Sequence, residues 1–360
     1  MRVTLVTFDR LPVSLLGCYG AIWNDTPAFN ALAAESLLLD QCYAADEEWL
    51  REPDAPLGPT RAAARRWLRG PEAHRWRSIR VDVVGPPSAL FPDSAVEGIQ
   101  FHAVGGGRDG DLEVLAVGHE LLSGSDADPA QPSLVWLMLT GISLERCAAV
   151  AEEERRPAAA EHVQRLDAAW EAFLGSRGES EEERSEGLLV VCGLAGALLG
   201  RHPRVAEGMP PLVEEVLHVP AWIREGDSES RGARWPGLLT TDDLIAAAAD
   251  LLASGEAAPG GMATRLRRAT RTEIVTRGGA GVLSRRTADE HALLHWTAAI
   301  PPGSNAAPLE ECSRLWLFQK PDDVWDWLDV SSQRPAEAEE RRAALARRLG
   351  LPDAESEANQ

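Results

Sequence analysis

The sequence predicts an α/β protein with a small C-terminal sheet-and-helix layer, and three observations carry this. Short apolar runs alternate with stretches of helical periodicity as far as Gly261. The runs Ser133–Leu139 and Leu188–Cys192 are almost unbroken in apolar character, as strands buried on both faces of a sheet are. Beyond the Gly-rich linker Gly255–Gly261, strand-like segments dominate, which argues for a separate layer.

The elements follow in order. Val3–Phe8 is β-branched and apolar, ends at Asp9, and reads as a buried strand. Thr26-Pro27 supplies an N-cap and a proline at the first helical position. Phe29, Leu32, Ala33 and Leu37 then recur at helical spacing. Pro59-Thr60-Arg61 opens a basic helix running to about Gly70. Ile79–Val84, Gly98–Val104 and Leu112–Val117 have strand character, and Leu144–Leu174 is helical with a break near Pro157. Thr241–Ser254 is a helix with Asp242 and Asp243 in its first turn, where the dipole favours acids. Thr272–Arg277, Leu293–Ala298 and Leu315–Gln319 suggest a small sheet, and Pro335–Leu349 a charged helix. The expected division is a core domain over 1–261 and a subdomain over 262–360.

Composition narrows the function. The 360 residues carry a net charge of -20, from 56 acids against 36 bases. A nucleic-acid or anionic-membrane partner needs a basic surface, so neither is expected. Of the 36 bases only Lys320 is a lysine. No apolar stretch approaches the roughly 20 residues that span a bilayer. The cysteines, at 18, 42, 147, 192 and 312, form no CxxC pair. Buried free thiols in a reduced, cytoplasmic protein are the expectation.

Three local patterns carry little. Gly105-x-Gly107-x-x-Gly110 matches a dinucleotide fingerprint, but the strand expected after it makes a hairpin turn the better reading. His291 and His295 sit four apart as in HExxH, yet Ala292 stands where the catalytic glutamate belongs, so a satisfied histidine pair is expected. Glu181–Glu183 reads as a solvated loop.

The segment from Val3 to Ala44 carries more. A strand ends at Asp9, Leu16-Gly17-Cys18-Tyr19-Gly20 follows, then Thr26-Pro27, then Leu32-Ala33-Ala34-Glu35. Four motifs in this order resemble the opening of the sulfatase family, within the alkaline-phosphatase-like superfamily. Val190-Val191, Gly196, Leu199-Gly200, His202, Glu214 and Val219-Pro220 resemble that family's second metal segment, and Leu317–Val330 its small C-terminal domain. The resemblance implies a central mixed, mostly parallel sheet with helices on both faces, plus a small α+β subdomain. It covers most of a chain that is short for such a protein.

The same resemblance implies that several of the family's site residues are missing. Active sulfatases hold calcium or magnesium in clustered carboxylates, because a hard dication takes six to eight oxygens, and the ion polarises the ester oxygen. Here Asp9 remains as a vestigial ligand, but the adjacent aspartate position holds Arg10, and the Asp-His or Asp-Asn pair is Leu194-Ala195. The family's modifiable cysteine or serine falls on Leu57, with Pro59 and Arg61 of its motif kept, and its lysine falls near Met209. No catalytic residue and no cofactor are therefore expected. The resemblance implies an inactive, degenerate member, a pseudoenzyme with a binding or regulatory role, with a protein partner or a catalytic paralogue as the kind of partner. The alternative is a sulfuric- or phosphoric-ester hydrolase with a rearranged site, in which Thr60 is the nucleophile, Arg61 holds the anion and calcium is the ion. As a plain structural residue, Thr60 is an N-cap worth about 1 kcal/mol. A buried Asp9 must be paired or protonated. Adjacent strand residues face opposite ways, so Arg61 is its expected partner unless the chain leaves the strand at Arg10.

Overall fold

The computed structural model describes residues 1–44, 58–69, 79–86, 99–104, 109–123, 132–176, 187–226, 230–254, 261–278, 281–296 and 313–349. The first strand, β1 (Arg2–Arg10), is buried along nearly its whole length and lies at the centre of an eight-stranded sheet. The sheet contains β2 (Leu37–Leu39), β4 (Arg80–Gly85), β5 (Ile99–Ala103), β6 (Ser133–Gly141), β7 (Gly187–Gly193), β8 (Ala221–Glu225) and β9 (Arg234–Trp235), while β3 (Cys42–Tyr43) and β10 (Leu239–Thr240) pair separately. Strand order is β5-β4-β6-β1-β7-β8-β2-β9. The first five of these are mutually parallel; β8 runs antiparallel to β7, and β2 antiparallel to β8. The sheet is thus mixed and mostly parallel.

Alternation along each strand divides the core in two. Val3, Leu5, Trp136, Val190 and Cys192 bury on one face, with the helix Thr241–Ser254 and residues of α2 (Gly58–Ala64). Val6, Phe8, Leu137, Leu139 and Val191 bury on the other, with α1 (Pro27–Ala34), α3 (Gly110–Ser123) and α5 (Glu152–Ser176). Side chains that alternate with period two send successive apolar residues to opposite faces, so such a strand needs helices on both sides. On the second face Phe29 stacks between Trp170 and Trp222, at ring distances of 6.1 and 5.5 Å. The Asp167 carboxylate accepts from the Ala28 and Phe29 amides at 3.0 and 2.8 Å, binding the start of α1 to α5.

The C-terminal part is an antiparallel sheet of β11 (Glu273–Arg277), β12 (Val282–Thr287), β13 (Glu290–Trp296) and β14 (Ser313–Gln319). Trp316 and Phe318 on β14 bury into the main core, whereas Leu315 and Leu317 face the helix Pro335–Arg348. No helix among the described residues is long and apolar enough to cross a membrane.

Four expectations change. Leu112–Val117 is not a strand but part of α3, whose Val114, Leu115 and Gly118 bury while Leu112 is exposed: an apolar stripe too short to reveal its period. The hairpin reading of the Gly105-x-Gly107-x-x-Gly110 stretch falls with it, since β5 precedes and α3 begins at Gly110; Gly105 and Gly107 lie outside the described residues. Leu37 belongs to β2, because α1 ends at Ala34. The long helical stretch breaks at 149–151, between α4 (Leu144–Ala148) and α5. Pro157 stays inside α5 near its start, where few hydrogen bonds precede it. The acidic run Glu181–Glu183 also lies outside the described residues.

Candidate functional site

β6 and β7, consecutive strands in the chain, lie on opposite sides of β1 as its direct neighbours. Open α/β sheets place their sites at such a switch point, beyond the carboxyl ends of the strands. Asp9 and Arg10 stand there. The loops after β6 and β7 are stitched to this strand end by the Ile142 amide donating to Arg10 O (2.9 Å), the Leu194 amide to Phe8 O (2.8 Å) and the Leu11 amide to Ala195 O (2.9 Å).

Asp9 is 3% exposed. Its Oδ1 accepts from the Thr60 amide at 2.8 Å, and its Oδ2 lies 3.9 Å from Arg10 Nε. Arg10 is itself buried and its Nη1 donates to Gly196 O at 3.4 Å. Burial pushes the Asp9 carboxyl up to about 6, against the opposing pull of the Thr60 amide and the Arg10 guanidinium. Asp111, in the first turn of α3, adds a like charge, but its own oxygens are taken up by the Thr140 and Gly141 amides at 2.6 and 3.0 Å.

The structure brings Asp9, Arg10 and Thr60 together. Arg61 is exposed, and Arg10 stands beside Asp9 in the role expected for Arg61. The carboxylate reaches Arg10 because β1 ends at that residue. Thr60 is buried; its hydroxyl weighs on the Asp9 charge but makes no well-formed hydrogen bond among the described residues. Leu194, Ala195 and Met209 are buried in one apolar cluster, while Leu57 lies outside the described residues. A calcium or magnesium ion does not fit this donor set. One carboxylate bonded to an amide, an adjacent guanidinium and two apolar residues cannot supply the oxygens or the negative charge a hard dication takes.

A second group of ionisable residues was not foreseen. Glu214, His291 and Asp326 place ligand-type atoms within 4.8 Å of one another, all buried. The space between them is served by an ammonium: Lys320 Nζ lies 2.9 Å from Asp326 Oδ1 and 3.4 Å from Glu214 Oε2. The Arg286 Nε atom is 3.5 Å from the same Glu214 oxygen, and Tyr43 Oη donates to Glu214 Oε1 at 2.7 Å. His291 contacts Asp326 Oδ2 at 2.9 Å through Nδ1 and Ser284 Oγ at 2.9 Å through Nε2. Asp326 Oδ2 also accepts the Glu214 amide at 2.7 Å. Although burial opposes it, Lys320 and Arg286 hold the Glu214 carboxyl below the usual range, and His291 and Lys320 do the same for Asp326. The set joins the main sheet's loops to β12, β13 and the chain after β14. With Lys320 and Arg286 in place it is a charge-balanced clasp, not a vacant ligand set. His291 is thus a satisfied core histidine, and His295 belongs to no metal group among the described residues. The signal in the sequence was the lone lysine of an arginine-rich chain.

The fold is that of the sulfatases. The chain superposes on a 2-O GAG sulfatase with a TM-score of 0.66 at 11% identity, over 97% of this chain and 92% of the other. A protein solved in complex with its substrate D-glucosamine-2-N,6-O-disulfate gives a TM-score of 0.62 at 11% identity, over 97% of both chains. The phosphonate monoester hydrolase of Agrobacterium radiobacter gives 0.59 at 12% identity, over 97% and 94%. No protein-family model and no curated protein sequence matches the chain.

Proposed function

We propose that this protein is a sulfatase-like scaffold that no longer hydrolyses esters and acts by binding. One observation carries the reading: a buried arginine, Arg10, neutralises the surviving carboxylate, Asp9, where the family pattern calls for a further metal ligand. Fold likeness does not transfer activity when the site is absent. The hydrolase alternative needs Thr60 to meet a substrate, and at 1% exposure its hydroxyl is closed off. The free cysteines at 18, 42, 147 and 192 support a reduced, cytoplasmic setting. The test is hydrolysis of aryl sulfates and aryl phosphates, with and without calcium, magnesium, manganese or zinc. No turnover above background is expected. Metal-dependent multiple turnover, abolished by Thr60→Ala, would establish the hydrolase instead.

A further inference from the structure

A cleft of about 270 Å³, to whose lining Asp9 does not contribute, lies between the chain around residues 14–23 and the loop after β14. Tyr19, Trp23, Trp325 and Trp327 line it, with the Arg156–Glu215 ion pair (2.5 Å) and Ser14. The Ser14 hydroxyl is buried and has no hydrogen-bond partner among the described residues. The same two segments expose further apolar side chains: Ile22 is 94% exposed, Leu328 57% and Val324 48%. Of the large apolar side chains exposed among the described residues, Leu112 alone lies outside these two segments.

Both segments are held in place by hydrogen bonds, so these side chains are presented on a firm support. Asn24 Nδ2 donates to Leu15 O at 2.7 Å, and Gln164 Nε2 donates to Asn24 Oδ1 at 2.9 Å. Asp323 accepts the Trp327 and Leu328 amides at 3.0 and 2.7 Å, and Lys320 Nζ donates to Asp323 O and Val324 O. Arg204 donates to Trp327 O at 3.0 Å. Contiguous exposed apolar surface marks interaction sites, and tryptophans held before binding lose little entropy in it.

Charge decides the occupant. Arg156 and Arg204 at the cleft are each spent on an acid, Glu215 and Glu207. Asp25 and Asp322, exposed beside Trp23 and in the second loop, form no ion pair among the described residues. The two segments thus present exposed acids and no exposed base beside their aromatic side chains, although Arg201 is exposed next to His202, which bonds Trp325 O; the molecule's net charge of -20 disfavours a second copy of itself. We propose that this face docks a basic, amphipathic segment of a partner protein. An apolar side chain enters the cleft, and flanking lysines or arginines lie over the Trp23 and Trp327 rings and against Asp25 and Asp322. This deepens the binding role proposed above and rests on it.

The probe is a short amidated peptide of leucine and lysine with helical amphipathic spacing, compared with its leucine–glutamate counterpart by fluorescence anisotropy. Saturable binding of the basic peptide is expected, weakened at high salt, with none for the acidic one. The double variant Trp23→Ser/Trp327→Ser, checked for an unchanged urea midpoint, should bind about tenfold or more weakly, the range of two hot-spot losses. Asp25→Asn/Asp322→Asn should keep binding but lose its salt dependence. No saturable binding, or equal binding by the tryptophan variant, overturns the proposal. So does self-association abolished by that variant, which makes a second copy the occupant, or binding to phosphatidylcholine vesicles abolished by it, which makes a lipid surface the occupant. Ester turnover would instead sink the scaffold reading, and it is measured separately.

Discussion

Asp9→Asn offers a direct measure of how this site treats charge. The Asp9 carboxyl is pushed from 3.8 to about 6 by burial, despite its amide bond and its guanidinium neighbour. Between those two values the folded protein keeps a proton that the unfolded chain has released. Stability therefore falls as pH rises through that window, and above it the penalty is constant. A rise of about two units corresponds to about 3 kcal/mol. The asparagine still accepts from the Thr60 amide but does not titrate. Urea unfolding of both proteins at a series of pH values isolates the term, because the other titrating groups are shared. The unfolding free energy of Asp9→Asn, minus that of wild type, should grow by about 3 kcal/mol from below pH 3.8 to above pH 6. A flat difference would mean that the carboxylate is as well solvated as in the unfolded chain. A shrinking difference would mean that the charged form is favoured over the neutral one, by Arg10 or by a bound cation, and the account in which burial outweighs both would fail.

Further outcomes follow from the same geometry. Lys320→Met leaves Glu214 and Asp326 facing each other without their ammonium, and the urea midpoint should report a loss of about 3–5 kcal/mol. Gly196→Ala places a Cβ 2.0 Å from Glu215 O, a backbone atom that cannot turn aside; a loss of about 3 kcal/mol is expected by the same measurement. Phe29→Ala removes the ring stacked between Trp170 and Trp222, at a cost of about 3–5 kcal/mol. Millimolar calcium should leave the wild-type melting temperature unmoved, since only a ligand that binds the native state raises it.

Much of this fold is legible along the chain because its strands are local and nearly uniform in character. β1, β6 and β7 announce themselves by unbroken apolar runs, and the helix Thr241–Ser254 by its acidic start. α3 does not, since Leu112–Val117 is compatible with either period over so few residues, and only its packing on β6 decides. β2 is three residues long and is defined by pairing with a distant β8. At the site, Asp9 and its neighbour Arg10 could be placed from motif order, as could the apolar residues at 194 and 195. The choice between Arg10 and Arg61 could not, because it depends on where β1 stops and how the start of α2 is turned. The clasp around Glu214 draws on residues from 43 to 326, so no sequence window contains it.

The clasp also gives the protein an unusual relation to amine chemistry. The chain has one side-chain amine, that of Lys320, and its side chain is 1% exposed with its ammonium engaged on carboxylates and carbonyls. Acylating reagents need a deprotonated, accessible nitrogen, which the folded state withholds. The rate at which Lys320 is acylated therefore reports how often the joint between the two sheets opens. One unique residue thus serves as an intrinsic clock for that event, with no label introduced and no competing lysine to subtract.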